Sequence, residues 1–378
     1  MTGRHATVSR STYTALVLAA VGALLAGLGV WIARTDGGGK EDDAGPPGGH
    51  GLPGNAASGT LPEGDCAPTE TLEPRCGAWW GAYVPYARSG SLTEAVHAFE
   101  QKIGRKLDLV YNYHDMSNSS LDGELLTADE QELGRDRLLM LAWESTVWTE
   151  PHHDGWTETQ LGWKNIASGK YDRDIIDPQA RRLKAYGKRI FVSFDQETDF
   201  RIKEGAGTPE EFVAAYRHLH DRFEELGVDN VVWVWTVSGY LGNAELMKQL
   251  YPGDEYVDWI GMDQYNYYLC HKSPNWLDFD RSQRPSHDWL RANISDRKPV
   301  MLAEFATAPD PTQPQRQRDW YARIPEVVPT LPRVRALVHW NRAVPGPGCD
   351  LTVNGGPGLE GYRAAGRDPY FEQPVPTR

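Results

Sequence analysis

A chain of 378 residues has room for one large domain or two of medium size. With 40% hydrophobic and 24% charged residues it is neither a disordered nor a fibrous sequence. Lys and Arg total 39 against 52 Asp and Glu, a formal net charge of -13, which argues against nucleic acid or an anionic lipid surface as partner. The 14 Trp and 17 Tyr are a heavy load of flat rings, suited to a core and to stacking on sugars.

At the N-terminus, Arg4 and Arg10 precede an uncharged run from Ser11 to Ala33 that closes with Trp31, Ile32 and then Arg34. About 20 apolar residues span a bilayer as a helix. The run exceeds the usual signal-peptide core of about 7–15 residues, and no small-x-small cleavage site precedes Arg34. An uncleaved signal anchor over 1–34 is therefore expected, with a cleaved signal as the alternative; both export the rest of the chain. Residues 35–62, with Gly37-Gly38-Gly39 and Pro46-Pro47-Gly48-Gly49, bury too little apolar surface to fold and read as a flexible tether. The folded domain is expected over 63–378, outside the cell. The four cysteines, Cys66, Cys76, Cys270 and Cys349, then fit two disulfides. Three pairings exist; Cys66–Cys76 would close a short loop, leaving Cys270 and Cys349 to join two late loops. Their spacings match no zinc motif.

From Trp79 onward, apolar β-type runs alternate with helical patterns. The runs are Trp79–Val84, Leu107–Tyr113, Leu138–Trp143, Arg189–Phe194, Asn230–Trp235, Val257–Met262, Pro299–Phe305 and Val334–Trp340. They are nearly continuous and not alternating, as for strands covered on both faces. Between them lie readable helix signals: a capping box at Ser91–Glu94, Asp177-Pro178 opening a helix, and a second box at Thr208–Glu211. Eight such units match the roughly 250 residues of a (β/α)8 TIM barrel. The alternative, an open doubly wound sheet, would want a Gly-rich turn after its first strand, and Pro85-Tyr86-Ala87-Arg88 stands there instead. With no phosphate loop either, nucleotide cofactors are unsupported, and no cofactor is expected.

A barrel of this kind carries its site at the C-terminal ends of the strands. The fourth run delivers Asp195-Gln196-Glu197 and the seventh delivers Glu304 between apolar neighbours. A lone carboxylate in such a setting costs several kcal/mol unless it is paired or shifts its pKa. Two carboxyl groups facing one pocket are what cleavage of a glycosidic bond requires: one protonated to assist the leaving oxygen, one ionised to attack or to activate water. Glu144 and Asp195 also end runs and compete for these roles. Trp143, Trp235, Tyr265 and Trp340 stand near run ends as sugar platforms, and His114 as a sugar hydrogen-bonder. Asp258 and Asp263 are expected to orient loops. His152-His153-Asp154 lacks a partner pattern, so no metal site is expected.

The order of motifs resembles glycoside hydrolase family 26, the β-mannanase-like family of clan A. Gly81-Ala82-Tyr83-Val84-Pro85 is similar to its opening strand. Ile166–Asp172, Thr208–Leu219 leading to Asn230–Trp235, Tyr251–Asp254 leading through Val257–Asp263 to Tyr265-Asn266, Lys298–Thr307 and His339-Trp340-Asn341 come next in the family's order. The resemblance covers about residues 78–345. It implies Glu197 as acid/base, Glu304 as nucleophile, Tyr265 as the tyrosine holding that nucleophile, and Trp340 as the floor under the cleaved sugar. It also implies retention by double displacement, with carboxyl groups about 5–5.5 Å apart. Gln196 departs from the family's His before the acid/base; it can bind a sugar hydroxyl but cannot titrate. The expected activity is therefore an extracellular β-glycan endohydrolase with β-1,4-mannan as first substrate. Mixed-linkage β-glucan or xylan are the alternatives, as is a catalytically silent glycan-binding barrel. An intracellular enzyme acting on phosphates is disfavoured by the export segment.

Overall fold

A computed structural model describes residues 66–376 apart from 88–89, 119–122, 150–156 and 271–272. The expected anchor and tether, and His152-His153-Asp154, lie outside the described residues. Among the described residues no helix is long and apolar enough to cross a membrane.

Eight parallel strands close into a barrel: β1 (Trp79–Tyr83), β2 (Leu109–Asp115), β3 (Leu138–Glu144), β6 (Ile190–Phe194), β7 (Val231–Val237), β8 (Trp259–Asn266), β9 (Val300–Thr307) and β10 (Val334–Trp340). β10 pairs with β1 in register Trp79↔Ala336 to Tyr83↔Trp340 and seals the ring. A small antiparallel hairpin, β4 (Thr146–Thr149) and β5 (Thr157–Gln160), leaves the end of β3 and was not foreseen from the sequence.

Side chains alternate across each strand, so every strand has an axial set and an outer set. Leu109, Tyr111, Leu138, Met140, Ala142, Phe191, Val232, Val234, Trp259, Met301, Ala303, Ala336 and Val338 fill the barrel. Gly261 keeps this layer narrow, because a Cβ there would lie 2.5 Å from Thr236 Oγ1. The outer set, including Val110, Leu139, Leu141, Ile190, Val192 and Phe194, packs on the helices. Both sets are apolar, which is why the runs read as continuous.

The helices start where their caps allow. Thr208 and Glu211 satisfy each other's end of Pro209–Glu225 in a reciprocal box, and Thr127 and Glu130 do the same for Ala128–Leu133. Phe212, Tyr216, Leu219 and Phe223 form the buried stripe of the first of these helices.

The N-terminal end of the barrel is closed by the segment before β1. Leu72 joins the axial layer, its carbonyl accepts from Trp79 Nε1 at 2.7 Å, and the Thr71 carbonyl accepts from Trp259 Nε1 at 2.6 Å. A Cys66–Cys76 disulfide ties that segment, and Cys270–Cys349 joins the loops after β8 and β10.

Candidate active site

The mouth at the strand C-termini is built by two local irregularities. Strand β9 places Met301 and Ala303 inward and Val300 and Leu302 outward. Strict alternation would send Glu304 outward with Leu302. The pairing with β8 slips after Met262, so that Met262 faces Leu302 while Asp263 faces Glu304. This bulge turns Glu304 into the mouth and returns Phe305 to the outer core.

The second irregularity lies just after β6. Asp195 and Glu197 both adopt left-handed backbone, with φ of 48° and 53°. Non-glycine residues pay about 1 kcal/mol or more for this and keep it only where the surroundings enforce it. Asp195 is the enforcing group. It is fully buried and accepts from Ser145 N at 2.6 Å and from Ser145 Oγ and Trp163 Nε1. Fully buried and bonded to Ser145 and Trp163, it has no face open to a substrate. The short helix Thr198–Arg201 then starts directly after Glu197.

Glu304 is held from both sides. Tyr113 donates to Oε1 and Tyr265 donates to Oε2. Trp340 Nε1 donates to Tyr113 Oη at 3.0 Å, and its ring meets Tyr265 edge-on at 6.1 Å. Trp340 is half-buried and also stacks on Tyr83 at 5.9 Å. Gln196 donates from Nε2 to Glu144, the last residue of β3.

Electrostatics separate the two carboxyl groups. Burial raises the pKa of Glu304, and the two tyrosine hydroxyls work against that rise by bonding the ionised form. Burial also raises Glu197, and there the charges of Glu304 and Asp199 add to it, with Arg201 opposing. Two close carboxyl groups hold one proton more readily than none. The tyrosine donors favour charge on Glu304, while nearby negative charge favours the protonated form of Glu197. Asp263, 3% exposed, is raised far above the carboxylate range by burial and by the charges of Glu304 and Glu197. Neither of its buried carboxyl oxygens has a hydrogen-bond partner among the described residues, so the expected loop-orienting contact is not seen. Asp258 does orient backbone, accepting from Trp233 N at 2.9 Å.

Three expected sugar contacts are corrected by strand alternation. Trp143 lies on the outer face of β3, fully buried, 6.3 Å from the Phe223 ring. Trp235 lies on the outer face of β7 against Tyr251 at 5.0 Å. Neither has a free face for a sugar. His114 lies on the outer face of β2, 2% exposed, with Nε2 2.7 Å from Glu130 Oε1. Burial alone would raise Glu130, but His114, Asn112 and the Thr127 N–H outweigh it and hold its pKa below the ordinary value. His114→Ala should therefore cost about 3 kcal/mol of stability at pH 7 by stranding a buried carboxylate. Activity below the melting transition should be kept. A thermal melt with activity assays at low temperature checks this, and lost activity at unchanged stability would return His114 to the mouth.

Sequence reasoning missed Tyr113, Arg201 and the hairpin's Trp148, whose Nε1 reaches Glu144 Oε2 at 3.1 Å. Tyr113 closes an apolar run, and only the two-residue phase from Leu109 marks it as axial. His220, Asp221 and Glu224 are the metal-like cluster among the described residues, and they sit on the outer helix Pro209–Glu225.

A family model described as glycosyl hydrolase family 26 matches residues 200–279. Endoglucanase H of Acetivibrio thermocellus is 31% identical over 238 residues, covering 60% of this chain and 24% of that protein. Beta-1,3-xylanase TXYA of a Vibrio species is 28% identical over 236 residues, covering 59% of this chain and 47% of that protein. The chain thus spans less than half the length of either curated relative. Among solved structures, the modular endo-beta-1,4-mannanase of Cellulomonas fimi superposes with a TM-score of 0.52 at 17% identity, covering 78% of this chain and 71% of that one; this likeness concerns the fold. Matched stretch, curated relatives and closed barrel agree in making this chain a relative of glycosyl hydrolase family 26.

Proposed function

We propose that the domain, taken as residues 63–378, is a β-glycan endohydrolase that cleaves with retention of configuration. The observation that carries the reading is the pair of mouth carboxyl groups in unequal settings: Glu304 receives two tyrosine hydroxyls, and Glu197 is pushed toward the protonated form by burial and by Glu304. In this mechanism Glu197 gives its proton to the leaving oxygen while Glu304 attacks the anomeric carbon. The bond between sugar and leaving group breaks as the bond to Glu304 forms. Glu197, now ionised, takes a proton from water, which attacks the same carbon and frees Glu304. Trp340 supplies a ring beside the cleaved sugar, and Gln196 offers its carbonyl oxygen, buried without a partner among the described residues, to a hydroxyl.

β-1,4-Mannan is the first substrate to test. Mixed-linkage β-glucan and xylan are the alternatives, and the names endoglucanase and beta-1,3-xylanase on the curated relatives keep both in the panel. Two disulfides support folding in an oxidising compartment and hence an extracellular domain. Its attachment to the membrane through residues 11–33 belongs to the same proposal.

The test is release of reducing ends from mannan, galactomannan, mixed-linkage glucan, β-1,4- and β-1,3-xylan and cellulose. Release by wild type from at least one polymer, and none by Glu304→Gln, is expected. Binding to a polymer with no release from any would replace the hydrolase by a glycan-binding barrel.

The tyrosine donors make a separate prediction. Hydrogen bonds to a charged group are worth about 1.5–3 kcal/mol. Tyr265→Phe removes one from ionised Glu304, so the nucleophile's pKa should rise. The acidic limb of the pH–rate profile should move upward, with kcat down about 10–100-fold. An unmoved acidic limb would take Tyr265 out of this role.

A further inference from the structure

At the inner edge of the mouth lies a buried charge cluster that the proposed reaction does not use. Glu144 ends β3 on the axial face and is 5% exposed. Its Oε1 meets both Arg201 Nη2 and Gln196 Nε2, and its Oε2 accepts from Trp148 Nε1 at 3.1 Å. Arg201, 9% exposed, is the last residue of the helix that begins after Glu197, and its Nη1 lies 3.7 Å from Glu204. One carboxylate therefore ties together β3, the residue before Glu197 and the helix after it.

We propose that Glu144 and Arg201 are a counter-charge pair that positions Gln196 and sets the pH window of the two mouth carboxyl groups. The inference rests on the proposed hydrolase activity and adds positioning residues to it.

The pair is placed where its charges count. Arg201 lowers the pKa of both Glu197 and Glu304, and Glu144 raises that of Glu304. At Glu304 the two therefore act in opposite directions. Among the described residues, other groups around the carboxyls include Asp199 and Glu204 after β6, Asp263, Tyr265 and Tyr267 from β8 and its loop, Tyr111 and Tyr113 from β2, and Tyr83 from β1 with Arg342 bonded to it. Arg201 is a cation that acts on both carboxyls, so its balance with Glu144 bears on how much negative charge the mouth carries.

Removing one member at a time should move the window in opposite directions. Glu144→Gln keeps an acceptor for Gln196 and unbalances Arg201, so both carboxyl groups should ionise more easily. Both limbs of the kcat/KM profile then move down by about 1–2 pH units, the usual size of the effect of a nearby charge on a buried carboxyl. Arg201→Gln leaves Glu144 unbalanced, and both limbs move up by a similar amount. The double variant should bring the window back near wild type, and Arg201→Lys should hold it there.

The experiment measures these pH profiles with the full chain on whichever polymer wild type cleaves. It also titrates, by infrared spectroscopy, the protonated-carboxyl band that Glu304→Gln removes. Opposite shifts that cancel in the double variant support the pair. Limbs and band midpoints unmoved in both single variants, with only lower melting temperatures, would overturn it. If wild type cleaves no polymer, the hydrolase reading fails, and the infrared midpoints alone decide the inference. If Arg201→Gln does not fold, Glu144→Gln with Arg201→Lys decides it: a downward shift in the first and none in the second is required.

Discussion

Glu304→Gln is expected to lower turnover by at least about 10⁴-fold while the barrel stays folded, because loss of a reacting side chain removes the chemical step itself. Gln keeps the shape and an acceptor oxygen for one of Tyr113 and Tyr265, and its amide N–H can donate to the other hydroxyl, so the aromatic frame of Trp340 and Tyr83 is expected to stay in place. A stability signature should accompany the loss. Glu304 sits in a folded state that raises its pKa above the ordinary 4.5, chiefly by burial. A raised carboxyl binds its proton more tightly folded than unfolded. Its ionisation therefore costs stability, starting as pH climbs past the unfolded value and complete above the folded one. Glu304→Gln escapes that cost. The variant should gain on the order of 1 kcal/mol relative to wild type between pH 4 and pH 8. Chemical denaturation at the two pH values measures this. A variant that loses stability as pH rises relative to wild type would contradict the placement of Glu304 as a buried, reluctant carboxylate.

Glu197→Ala should fall by about 10²–10⁴-fold on natural polymers, whose leaving hydroxyl needs a proton. On aryl glycosides with an activated leaving group the first step needs no acid, and its rate should change much less. The second step still lacks a base for water, so the intermediate on Glu304 should accumulate and show a burst of released phenol. Steady-state and pre-steady-state rates on both substrate types test this. Equal losses on both, with no burst, would remove Glu197 from acid/base duty. In the proposed mechanism its surroundings favour the proton needed at the start of the cycle: burial, then Glu304, then Asp199 raise Glu197, against Arg201.

The eight strands were legible because each apolar run is buried on both faces, and their order along the chain admitted a barrel. Their ends were read too early. The runs stop at Tyr113, Trp143, Trp235, Met262 and Phe305, whereas the ladders continue to Asp115, Glu144, Val237, Asn266 and Thr307. Polarity ends a run, but in a barrel the polar extensions are where the mouth is lined. The same two-sided burial hid which rings face the axis. Trp143 and Trp235 carry the same chemistry as Trp340, and only the phase of alternation separates them. The bulge that turns Glu304 inward leaves no composition signal, since Leu302, Ala303 and Phe305 are apolar in either phase. Glu197 and Tyr265 were placed by their motifs, and the structure brings Tyr265 to Glu304. Tyr113 and the Glu144–Arg201 pair depend on contacts between residues 191 and 57 positions apart, which no local pattern encodes.

The central claim is that Glu304 forms a bond to the sugar. The direct test is to incubate the full chain with 2-deoxy-2-fluoro aryl β-glycosides of mannose, glucose and xylose configuration, then measure intact mass and map the peptides. Fluorine slows both steps, and the activated leaving group lets the first outrun the second. The expected result is one added glycosyl unit on the peptide carrying Glu304, absent in Glu304→Gln and formed in Glu197→Ala. A glycosyl unit on any other residue, or products of inverted configuration with no adduct, would contradict the claim.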